Sequence, residues 1–156
     1  NVILNCMLKT QATIYSIPKC KMVSDQILQY FLDRKNGELE PRESMLLAAL
    51  RGNRPAPKPK KIKYEHELCP DRQTFDTFLA KRIGFMGFQF HKATALLTHI
   101  PDWLAFLHIY NVIDETLQQR VLSALLPLAE QFRVAIAEYV EDPTMEKHIC
   151  DAWGLP

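Results

Sequence analysis

The sequence predicts an all-α fold, on three observations. Apolar residues recur at three- and four-residue spacing through most of the chain, sustained period-two alternation is absent, and turn residues fall between the periodic stretches. Apolar residues make up 47% and charged residues 24% of the 156 positions, ordinary for a globular protein whose core needs no disulfide or metal staple. No repeat of about 20–50 residues is visible, which argues against a solenoid. No apolar run approaches the roughly 18 residues of a membrane span. The amino terminus lacks the basic and apolar blocks of a secretory signal, and Met7 is the nearest candidate start.

The elements follow in order. A short strand is conceivable near 12–17, with nothing obvious to pair with. Ser24 is placed to cap a helix through DQILQYFLDR, with Ile27, Leu28, Phe31 and Leu32 on its apolar face, and Asn36-Gly37 stops it. Pro41 suits the first turn of a second helix, RESMLLAALR, which ends at Gly52. Residues 51–63, RGNRPAPKPKKIK, alternate three prolines with basic residues and read as an extended, non-helical strap. Beyond the strap, TFDTFLAKRI reads as a helix with Asp71 or Thr74 near its start. FQFHKATALLTHI is expected to stop before Pro101, and DWLAFLHIYNVI to open after it.

Asp114 caps the longest periodic stretch, where Leu117, Val121, Leu125, Leu128, Phe132, Ala135 and Tyr139 form one face. Pro127 inside it predicts a kink rather than a break. Asp142-Pro143 precedes a final helix, TMEKHICDAW. The expected organisation is an N-terminal helical segment (1–50), a basic Pro-rich linker (51–63) and a helical bundle of about five helices (64–156).

Charge divides the chain along the same lines. Residues 1–50 carry six basic and five acidic residues, the strap six basic and no acidic, and residues 64–156 seven basic and thirteen acidic. The +6 strap matches the −6 bundle, of its own chain or of a second copy. Alternatively Arg54, Lys58, Lys60, Lys61 and Lys63 could track a phosphate backbone, although no base-stacking aromatic is interleaved among them. A helix-turn-helix is disfavoured, because RKNGELEP exceeds the usual turn of about 3–4 residues and RESMLLAAL lacks polar base readers.

Two clusters invite a site reading. Residues 84–110 gather Phe85, Phe88, Phe90, Trp103, Phe106 and Tyr110 with His91, His99 and His108. On a helix His91 and His99 lie roughly 12 Å apart along the axis, whereas nitrogens sharing one zinc lie within about 4 Å. The cluster therefore reads as core before small-molecule pocket. His66, Cys69, His148 and Cys150 have the currency of structural zinc, but His148 and Cys150, two apart, point to opposite sides of a helix. No metal and no cofactor is called for. The four cysteines are widely spaced and read as free thiols of a cytoplasmic protein.

No catalytic motif is present: there is no G-x-S-x-G, H-E-x-x-H or phosphate loop. The residues favour a non-enzymatic protein–protein interaction or oligomerisation module, with nucleic-acid binding through the strap as the alternative and a small-molecule domain third. Trp103 to Ile113 is apolar nearly all round, which marks a helix either central or shared with another chain. About five helices leave little room for a central one, so Trp103, Phe106, Leu107, Tyr110 and Ile113 become interface candidates in a homo-oligomer or partner complex. On that reading Leu107→Glu or Ile113→Glu separates the assembly and leaves helicity mostly intact.

Overall fold

A computed structural model describes residues 7, 17–41, 45–55, 63–83, 89–140 and 142–156. Among these the protein is all-α: α1 (Ile17–Lys35), α2 (Met45–Arg51), α3 (Arg72–Ile83), α4 (Phe90–Ile109), α5 (Glu115–Tyr139) and α6 (Pro143–Trp153). The strand considered near 12–17 falls outside the described residues except at Ile17, which is helical.

Local capping chemistry places most of the boundaries. Asp71 accepts from the Thr74 amide at 2.9 Å to start α3, Asp114 from the Leu117 amide at 2.7 Å to start α5, and Asp142 from the Thr144 amide at 2.9 Å to start α6. Gly37 and Gly52, at φ of 74° and 60°, close α1 and α2 in the left-handed conformation that a side chain disfavours. Asn111 does the same after α4 at φ 56°, so that helix ends before Ile113. Helix α1 begins seven residues ahead of Ser24, which lies inside it. Pro18 sits in the first turn of α1, where a missing donor costs nothing.

The largest difference from expectation is at Pro101. Instead of ending one helix and opening another, it lies inside a continuous α4, and residues 64–156 hold four described helices rather than about five. A proline inside a helix orphans the carbonyl four residues back, here that of Leu97, whose side chain is fully buried. Trp153 of α6 repairs the defect: its indole Nε1 donates to the Leu97 carbonyl at 3.0 Å. At Pro127 in α5 the corresponding carbonyl belongs to the exposed Ser123, on the side of the helix open to solvent, and that helix also continues. Trp153→Phe is expected to cost about 1–3 kcal/mol in urea unfolding, the penalty of a buried unpaired carbonyl. That loss shrinks in a Pro101→Ala background, where the residue 101 amide takes the bond; equal losses in both backgrounds would count against the repair.

With its full 20 residues, about 30 Å, α4 packs against α1, α3, α5 and α6. Ala93, Leu96, Leu97, Ile100, Trp103, Leu104 and Leu107 on it are all at most 2% exposed. The central position that seemed to lack room is therefore filled by α4 itself. Helix α1 joins the same core through Val23, Ile27, Tyr30 and Arg34, at i, i+4, i+7 and i+11. The expected face differs, since Leu32 is 44% exposed. A tyrosine and an arginine on the buried stripe hide it from a hydrophobic reading.

The buried face of α5 runs through Val121, Leu125, Leu128, Ala129, Phe132 and Ile136. Tyr139, expected on it, is 71% exposed. The reason is α6, which folds back on the flank bearing Arg133, paired with Glu146 at 3.0 Å, and draws the stripe to Ile136.

Candidate functional site

Among the described residues, one densely connected polar group is not advertised by the sequence. Arg34, 7% exposed, projects from the end of α1 under the segment that leads into α3. Its guanidinium donates to the carbonyls of Cys69 and Glu67 at 2.7 Å each and of His66 at 3.3 Å. It also pairs with the Asp71 carboxylate at 3.1 Å, and the Tyr64 ring lies over it at 4.0 Å. Trp103 Nε1 donates to the remaining carbonyl of the segment, Leu68, at 2.8 Å. Four consecutive carbonyls, from residues 66 to 69, are thus held by two buried side chains.

Around this centre the groups are set for structure. The Tyr30 hydroxyl bonds Thr74 Oγ1 at 2.8 Å, and burial pushes its pKa up to about 12. Burial likewise pushes the Cys69 thiol up to about 11, against the lowering influence of Arg34, so both stay protonated at neutral pH. Beside the network opens a cleft of about 220 Å³, with Lys63, Tyr64, Glu65, Asp71, Arg72 and Arg120 on its rim. Its charges are largely engaged: Glu65 pairs with Arg120 at 3.2 Å and Asp71 with Arg34.

The structure scatters the residues singled out from sequence. His66 accepts the Leu68 amide on Nδ1 at 3.1 Å, and Cys69 is buried. Among the described residues no three of His, Cys, Asp and Glu gather as metal ligands. Cys20, Cys69 and Cys150 are free thiols. Of the aromatic cluster, Phe85 and Phe88 lie outside the described residues. Trp103 and Phe106 are core, and Phe90 packs against it. His91 is exposed, and His108 is half-buried with Nδ1 3.4 Å from the Ile113 carbonyl.

His99 is 3% exposed, with Nδ1 2.7 Å from the Ala95 carbonyl. Burial is the chief cause that lowers its pKa, reinforced by Lys19 and His148 and opposed by the Ala95 bond and Asp102. The folded protein therefore resists a proton that the unfolded chain accepts. Stability is full above the ordinary imidazole pKa and falls as pH drops through it toward the folded value. Burial raises the Asp102 pKa, an opposite contribution that grows as pH falls. Urea unfolding at about pH 7.5 and about pH 5.5 is expected to show a loss on acidification that His99→Gln reduces. An equal loss in the variant would remove the imidazole from the account.

Of the interface candidates, Trp103, Phe106, Leu107 and Ile113 are at most 8% exposed, and only Tyr110 reaches solvent, at 59%. Of the strap candidates, Arg54 and Lys63 are exposed, whereas Lys58, Lys60 and Lys61 lie outside the described residues. Immediately before the strap, α2 keeps Leu47 57% and Leu50 76% exposed. Ala48 and Arg51 are half-buried and Ala49 is exposed, so none of its described side chains joins the core. Among the described residues no helix is long and apolar enough to cross a membrane. Comparison with protein-family models, with curated proteins and with solved structures finds no match to this chain.

Proposed function

We propose that this chain is a non-enzymatic helical interaction module that self-associates through an arm formed by α2 and the basic strap. The observation that carries this reading is the exposure of Leu47 and Leu50 on a helix of sequence MLLAALR. At i and i+3 these leucines share one face, and an apolar face in water is the mark of a docking element rather than of a solvated turn. The strap that follows adds five positive charges to the Arg51 that ends α2, against a bundle of net −6, which supports a second copy as the partner.

Sedimentation velocity across the micromolar range tests it. The wild-type chain is expected to shift from monomer toward dimer or higher species with rising concentration. Leu50→Asp, at a position too exposed to unfold the bundle, is expected to remain monomeric. A chain that stays monomeric throughout would refute the proposal.

The exposed Arg54 and Lys63 favour one further reading, in which the strap meets nucleic acid. Fluorescence anisotropy with mixed-sequence DNA, and separately RNA, at low salt separates the two. Binding that weakens steeply with salt and vanishes when Lys58, Lys60, Lys61 and Lys63 are changed to Gln would favour nucleic acid over self-association.

A further inference from the structure

The second half of α5 and the α6 that folds back on it form a surface of distinct character. Residues 130–151 carry six acidic and two basic residues. Both basic residues are already engaged, Arg133 with Glu146 at 3.0 Å and Lys147 with Asp151 at 2.7 Å. Two-thirds of the net negative charge of residues 64–156 therefore falls in this stretch. On α5, Glu130, Val134 and Glu138 stand at i, i+4 and i+8 and are all exposed, forming one acid–apolar–acid stripe. Val134 is 52% and the flanking Tyr139 71% exposed. Beside Val134 a depression of about 430 Å³ is bordered by Glu130, Gln131, Arg133, Leu155 and Pro156.

We infer that this face receives the α2–strap arm of a second copy of the chain. The inference rests on the self-association proposed above and names its receiving surface. Each property of the face has a counterpart on the arm. The depression beside Val134 suits the leucine pair of α2, and the flanking carboxylates suit Arg54 and the strap lysines. The chain's own α2 does not fill the role, because Leu50, Val134 and Tyr139 are all exposed in the same structure. Burying an apolar pair inside a ring of opposite charges gives both the affinity and the choice of partner.

A complementation experiment tests it in the full chain. The arm variant carries Leu50→Asp with Lys58, Lys60, Lys61 and Lys63 changed to Gln. The face variant carries Glu130→Lys and Val134→Lys, both at exposed positions, with circular dichroism confirming unchanged helicity. Each variant alone is expected to self-associate at least about tenfold more weakly than wild type, a loss of about 1.4 kcal/mol. Mixed, they are expected to form a 1:1 heterodimer, because the mixture restores one intact arm and one intact face. A face variant that associates as tightly as wild type would overturn this inference and leave self-association standing, and so would a mixture that stays monomeric. A monomeric wild type would overturn both.

Discussion

Leu107→Glu is expected to leave the chain unfolded at room temperature. Leu107 is fully buried on the helix that touches four others. Losing its packing alone costs about 2–5 kcal/mol, and a carboxylate without a partner at such a depth adds several more. The sum rivals the whole stability of a domain, about 5–15 kcal/mol. Far-UV circular dichroism is the measurement, and a helical, monomeric variant would show the position to be peripheral. From the sequence alone the same substitution reads as one that separates an assembly. The burial of Leu107, and of Ile113 at 5% exposed, changes the expected outcome from dissociation to unfolding.

Arg34→Ala is expected to lower the unfolding free energy by about 3–5 kcal/mol, the cost of removing one partner from a buried ion pair. The loss has two parts. Asp71, whose side chain is 19% exposed, loses its counter-ion, and the carbonyls of His66, Glu67 and Cys69 lose their donor. Arg34→Lys is expected to recover only part of it, since an ammonium has no planar fork to reach several carbonyls at once. Urea titration of the three proteins orders them wild type, lysine, alanine. A lysine variant as stable as wild type would mean that charge alone, not the shape of the guanidinium, holds the segment.

The pattern of what could be read from sequence follows the range of the interactions. Caps at Asp71, Asp114 and Asp142, and stops at Gly37 and Gly52, act within a few residues, and each was legible as a local motif. The helical class and the buried stripe of α5 as far as Phe132 followed from spacing in the same way. What escaped the reading spans tens of residues. Arg34 reaches Cys69 across 35 positions, Trp103 reaches Leu68 across 35, and Trp153 reaches Leu97 across 56. A charged residue on an apolar stripe, or a proline that a distant indole makes harmless, leaves no periodic trace. The same holds for the acidic face on α5 and α6: its charge is countable in the sequence, but the exposure of Val134 and Tyr139 is a property of the fold.

The bond between Trp153 and the Leu97 carbonyl also orders events in time. Until α6 docks, the segment around Pro101 has a free carbonyl and a strong reason to break there. The two halves of α4 are therefore expected to form separately and to fuse only on a contact that closes a loop of 56 residues, late in folding because such closure is entropically slow. In native-state hydrogen exchange the amides just after Pro101 are then expected to open together with those of α6, as one cooperative unit, rather than with the first half of their own helix.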